Sequence, residues 1–338
     1  MHLNSLRFQP VGFSLLLDTL ESSPHLTSFS YDLDWTQDYA SLFDKLATLG
    51  HLSSLKFNIR GCNLASSKPH KCFRSLGESL HKIKALNGLQ LSLASTPESS
   101  IFLVNLSLLS QLQQFSFEMD SPNLSDQTVN LLTELLYSFA HLKSFKFTIY
   151  LALGNKPGRS SRLPDLFRGV GSLKFLKTLE LTLKLSDKYM DDKTYLVLFD
   201  ALASLTELTQ FKLEGPRNCI NDKGVIKLAN SLSKLVNLEK IGIDISPGLK
   251  IENETFIELL NSFSNLKRLR RIDLRIFCSG LDLATSQTVI LLLNKLRNLL
   301  FFKFAVQVPF KAPNMMPKFE DFLLDQKQYQ NMCAFSFD

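Results

Sequence analysis

Arg271, Asp273 and Arg275 alternate with Ile272, Leu274 and Ile276. That order puts three charges on one side of an extended chain and three apolar residues on the other. Together with Phe301 they form a charged, aromatic cluster suited to a protein interface, where Arg and aromatic residues are the usual anchors. A merely solvated face is the alternative. Two basic runs, Lys68, His70, Lys71 and Arg74, then Lys156, Arg159 and Arg162, could hold an acidic surface or simply keep loops soluble. The residues that enzymes use are spaced for nothing recognisable. The six His include no H-x-x-x-H or H-E-x-x-H pair, and His25, His51 and His141 each stand just before a Leu, at a turn position. Gly154, Gly169 and Gly171 lack the G-x-x-x-x-G-K-S/T pattern of a phosphate loop. No Ser/His/Asp set follows from spacing. The expectation is no catalytic residue, metal ligand, cofactor or small-molecule substrate.

The elements that must carry these residues are clearest at 224–245, GVIKLANSLSKLVNLEKIGIDI. Val225, Leu228, Ala229, Leu232 and Leu235 fall on one face of a 3.6-residue helix, whereas Ile241, Ile243 and Ile245 alternate as in a half-buried strand. Asn221 and Asp222 supply an N-cap signal just ahead. The same frame recurs from strand-opening Leu3, Leu26, Leu52, Leu86, Leu112, Leu142, Leu176, Leu208, Leu238, Leu269, Leu299 and Met332, at a mean period of about 30 residues. The helix slot ten residues ahead reads Leu16, Leu42, Leu76, Phe102, Leu132, Leu166, Leu198, Leu228, Leu259, Val289 and Phe322. Length variation collects after each strand, around 60–72, 94–100, 150–162, 184–194, 215–223, 246–254, 277–286 and 307–318, where insertions would project from one rim.

The pattern L-x-x-L-x-L followed by N/C-x-L stands here as LTQFKLEGPRNCI (208–220), LQQFSFEMDSPNL (112–124) and LSSLKFNIRGCNL (52–64). It resembles the leucine-rich repeat family, and the full helix and long period resemble its ribonuclease-inhibitor-like class. The resemblance spans essentially the whole chain and implies an α/β leucine-rich repeat solenoid. That would be one horseshoe domain over 1–338, with about twelve strand units, a parallel concave sheet and convex helices. Many strand Leu are replaced by Phe, as at Phe115, Phe117, Phe145, Phe147, Phe302 and Phe304, and the Asn/Cys slot is often missing, so a bulkier, less regular core is expected.

On the concave face the middle lane reads Arg7, Ser30, Lys56, Gln90, Ser116, Lys146, Glu180, Lys212, Gly242, Asp273, Lys303 and Ser336. With the flanking lanes, Arg7, Lys56, Lys146, Lys212, Lys240, Arg271, Arg275 and Lys303 face Asp32, Glu118, Glu180, Glu214, Asp244, Asp273 and Asp338. A face so nearly balanced makes no continuous field for a phosphate backbone, despite a net charge of +6, and only Phe301 could stack a base. Nucleic acid is disfavoured. A protein partner is expected instead, an acidic surface among the options. It would be held on the concave side by Lys56, Lys146, Glu180, Lys212, Asp244, Arg271, Asp273, Arg275 and Phe301, and on the rim by Lys68, Lys71, Arg74, Lys156, Arg159 and Arg162.

No run approaches the apolar length of a membrane span, and the start lacks the pattern of a secretory signal. The five Cys (Cys62, Cys72, Cys219, Cys278 and Cys333) are never spaced C-x-x-C; Cys62 and Cys219 occupy the repeat's small packing slot. A reducing, cytoplasmic setting fits best. Segments 3–8 and 332–337 both read as uncapped strands, leaving open a piece of a longer protein or ends that dock. The expected function is a non-catalytic protein-binding scaffold within a larger assembly. The alternative is a regulator of an enzyme, as ribonuclease-inhibitor-like and GTPase-activating members of the family are.

Overall fold

A computed structural model describes residues 10–32, 39–59, 69–94, 99–120, 125–150, 162–184, 190–215, 220–245, 251–277, 283–307 and 333–336. They fall in two units, Met1–Gly169 and Val170–Asp338. The first alternates α1 (Pro10–Glu21), β1 (Ser28–Asp32), α2 (Ala40–Thr48), β2 (Ser54–Ile59), α3 (Pro69–Lys82), β3 (Gly88–Ala94), α4 (Ser99–Leu106), β4 (Gln114–Asp120), α5 (Asp126–Ser138) and β5 (Ser144–Tyr150). Helix α6 (Leu163–Gly171) contains the boundary. The second holds β6 (Thr178–Lys184), α7 (Asp192–Ala203), β7 (Gln210–Glu214), α8 (Asp222–Leu232), β8 (Lys240–Asp244), α9 (Asn253–Phe263), β9 (Arg271–Phe277), α10 (Leu283–Lys295), β10 (Phe301–Gln307) and β11 (Cys333–Ser336).

Within each unit every strand pairs in parallel with the next in sequence, and a helix lies in each connection from β1 to β5 and from β6 to β10. This is an α/β leucine-rich repeat stack, one helix–strand pair per repeat. The described helix-slot residues, from Leu16 through Leu42, Leu76 and Phe102 to Leu228, Leu259 and Val289, are all buried. So are the strand slots, Leu55 and Phe57, Phe115 and Phe117, Ile241 and Ile243 among them. Each contributes about 1.5–3 kcal/mol on burial before chain entropy is subtracted.

The strand-opening Leu sits two residues ahead of its strand, in a recurring turn. Leu52 N–H donates to the Leu49 carbonyl (3.1 Å), Leu112 to Leu109 (3.1 Å) and Leu238 to Leu235 (3.0 Å). The two following N–H groups then share one carbonyl of the previous repeat: Gln113 and Gln114 on Asn87, Glu239 and Lys240 on Thr209. Those shared acceptors fix the register before the strand begins.

Three details differ from the sequence reading. Segment 3–8 lies outside the described residues. Helix α3 starts at Pro69, inside the stretch read as a loop, because Pro suits the first helical turn, where its missing N–H costs nothing; Lys71 and Arg74 are therefore helical. In β11, Cys333 rather than Phe335 stands opposite Phe302, so Ala334, not Ser336, lies beside Lys303. A slip of two residues keeps every side chain on its own face, so alternation alone could not detect it.

Candidate functional site

The open face of the second unit is built by β6 to β10, whose burial alternates: Phe211 and Leu213 go inward while Gln210, Lys212 and Glu214 do not. Register then lays out three rows. Thr178, Gln210, Lys240, Arg271 and Phe301 form the first; Glu180, Lys212, Gly242, Asp273 and Lys303 the second; Thr182, Glu214, Asp244, Arg275 and Ala305 the third. Gly242 is the centre of this array and carries no side chain. A Cβ added there would meet only the Lys212 stem, 3.3 Å from its Cγ, so the glycine leaves a depression that Lys212 leans across. The resulting hollow is about 440 Å³ and is lined by β6 to β9, with Lys212, Lys240, Arg271 and Arg275 on its rim.

Charges around the hollow are largely matched. Arg275 Nη1 lies 3.7 Å from Asp244 Oδ2, Lys184 Nζ 3.3 Å from Glu214 Oε1, and Arg271 Nη2 3.9 Å from Asp273 Oδ2. The Arg271 guanidinium also stacks over the Phe301 ring at 4.3 Å, a contact favoured by the ring quadrupole. These residues keep much of their surface, 52% for the Arg271 side chain and 48% for Arg275, so the pairs orient side chains more than they stabilise the fold. Lys212 and Lys240 are exposed and form no ion pair with any described residue.

Sequence-expected residues thus meet in part. Glu180, Lys212, Asp244, Arg271, Asp273, Arg275 and Phe301 share one face of the second unit. Lys56 and Lys146 belong to the first unit, in a row that reads Ser30, Lys56, Gln90, Ser116 and Lys146, with two strands between them. Of the rim set, Lys68, Lys156 and Arg159 lie outside the described residues. Lys71 and Arg74 are on α3, with Arg74 exposed, and Arg162 donates to Asn130 Oδ1 at 3.0 Å just before α6. Gly242 and Lys240 join the site without being among the residues expected from sequence. A glycine inside a strand, where neighbouring repeats carry polar side chains, was the available signal.

Among the described residues no group of three His, Cys, Asp or Glu could hold a metal ion, and no helix is long and apolar enough to cross a membrane. What the face offers chemically is a set of oriented donors and acceptors around a shallow hollow.

No family model and no curated protein matches the chain. Among solved structures it is similar to the yeast Rad7 and Elc1 complex, at 16% identity and a TM-score of 0.40 over 90% of this chain and 86% of that one. It is also similar to internalin C2 of Listeria monocytogenes str. 4b F2365, at 14% identity and a TM-score of 0.26 over 78% and 74%.

Proposed function

We propose that this chain is a non-catalytic scaffold that holds a protein partner on the open sheet face of its second unit, as a subunit of a larger cytoplasmic assembly. The carrying observation is the array on β7 to β10, where Arg271, Arg275, Lys212 and Lys240 line a hollow over Gly242 and Phe301 lies under Arg271 on the next strand. Arg and aromatic side chains are what protein interfaces use as anchors. The frame common to both units supports reading 1–338 as one repeat domain. The basic set Lys68, Lys71, Arg74, Lys156, Arg159 and Arg162 serves as a second contact for an acidic surface.

The test is capture of partners from native extract by the unaltered chain, by Arg271→Glu with Arg275→Glu, and by a chain lacking 154–162. The double reversal should release the main partner. Full retention by that variant would remove the open face from the reading, and loss only with the deletion would move the interface to the rim. The recovered partner also separates the second reading, since an enzyme whose activity changes on binding makes this chain a regulator.

A further inference from the structure

Around Gly242 each neighbouring carboxylate already has a cation: Glu214 has Lys184, Asp244 has Arg275 and Asp273 has Arg271. Glu180 has an interaction of its own. Lys212 and Lys240 are left over, with no ion-pair partner among the described residues, and both border the hollow. Two unmatched ammonium groups on one side of a depression that a side chain could enter mark where a single negative charge is missing. Phe301, under the Arg271 guanidinium on the next strand, adds an apolar surface beside the hollow.

We infer that the hollow over Gly242 is a socket for one Asp or Glu side chain of a partner protein, presented beside an apolar residue that packs on Phe301. The inference rests on the protein-binding reading above and names the chemistry of its central contact. A carboxylate entering over Gly242 meets Lys212 and Lys240, lies one row from Glu214 and Asp244, and has beside it Asp273, whose charge Arg271 offsets. A phosphate backbone would have to lie along Glu214, Asp244 and Asp273, which repel it. The glycine is required for access, because any larger side chain in this position occupies the space the ligand would take.

The probes are fluorescein-labelled octapeptides of Gly and Ser with Leu-Glu, Leu-Asp, Leu-Gln or Leu-Lys at the centre, titrated by fluorescence polarisation to about 1 mM. The Glu and Asp peptides should bind the unaltered chain at least about tenfold more tightly than the Gln and Lys peptides. Gly242→Phe and, independently, Lys212→Gln with Lys240→Gln should each weaken them by about tenfold. The lysine double variant alters only exposed side chains, so it reads the socket even where the bulky substitution disturbs β8. Equal binding of the Gln peptide, no binding of the acidic peptides, or unchanged binding by the lysine variant would overturn the socket. Partner capture separates the two readings. A partner released by Arg271→Glu with Arg275→Glu but kept by Gly242→Phe leaves the binding face standing and the socket refuted. A partner kept by every variant removes the face itself, while the peptides still judge the socket's chemistry.

Discussion

In the first unit Phe117 and Phe147 lie 6.2 Å apart with rings 2° from parallel, and Phe115 and Phe145 repeat the arrangement at 6.0 Å and 12°. In the second unit the slot of Phe117 is filled by Leu181, Leu213, Ile243 and Leu274, with Phe only on β10, as Phe304. The open faces differ as sharply. Rows in the first unit read Ser28, Ser54, Gly88, Gln114 and Ser144, then Ser30, Lys56, Gln90, Ser116 and Lys146, then Asp32, Asn58, Ser92, Glu118 and Thr148, with four charges in all. Those in the second crowd Lys, Arg, Asp and Glu around Gly242. Inner slots tolerate either solution, because flat rings stacked along the sheet and branched aliphatics both fill a strand-to-strand step with apolar volume. The outer rows are under no such demand from the fold, since exposed substitutions change stability by only about 0.5 kcal/mol. Among the described residues, the denser charge on the second unit's face is therefore a property that folding does not require.

The largest effect should come from breaking the ring stack. Phe117→Ala leaves a void beside Phe115 and Phe147, and urea unfolding should show a loss of about 3–5 kcal/mol. A loss below about 1 kcal/mol would mean that the rings do not carry the first unit's core. Next come two glycines that let helices approach. A Cβ at Gly77 would stand 2.5 Å from Asn105 Cβ, and one at Gly171 would stand 3.0 Å from Ala201 Cβ. Gly77→Ala and Gly171→Ala should each cost about 1–3 kcal/mol by the same measurement, and a neutral result at either would show that the helix pair can part freely.

A smaller effect concerns helix caps. The Asp191 carboxylate accepts from the Thr194 N–H (2.8 Å) and from its hydroxyl (2.6 Å), and these hydrogen bonds hold its pKa below the ordinary 3.8. A carboxyl group more acidic in the folded than in the unfolded chain adds stability above the unfolded value, and the gain is lost as pH falls through the lowered folded one. Asp191→Ala should cost about 1 kcal/mol at neutral pH. Its difference from the unaltered chain should shrink as unfolding is measured from pH 6 towards pH 3, and a difference that grows on acidification would contradict this assignment. Comparable to the cap in stability is Arg271→Glu with Arg275→Glu, which removes two exposed ion pairs and sets a carboxylate opposite Asp244, and should cost about 1 kcal/mol. The same substitution should have the largest effect on partner capture. Large destabilisation with binding intact would invert the comparison between the two faces.

The repeat frame was legible because its signals are local. Leu228, Leu232 and Leu235 announce a helix and Ile241 and Ile243 a strand whatever surrounds them, and all are buried as expected. The site was legible as residue types and, through the repeat frame, as rows: the lane Glu180, Lys212, Gly242, Asp273 and Lys303 is the row that the strand register lays out. Which charges pair, and the hollow over Gly242, needed the side chains in place. Lys56 and Lys146 looked equivalent to Lys212 in the frame, yet they stand in the other unit among Ser and Gln. The strand at 333–336 stands two residues from the register the repeat frame predicts, because alternation is blind to even shifts.

The order of side chains along the chain was thus enough to decide which residues go inward and which elements they build, since burial follows from a periodicity that neighbours cannot change. Only the assembled sheet decided which charges meet. Arg275 pairs with Asp244 across a strand and Lys212 leans over Gly242. Such meetings depend on how side chains from segments about 30 residues apart turn toward one another, which the repeat frame aligns but does not orient.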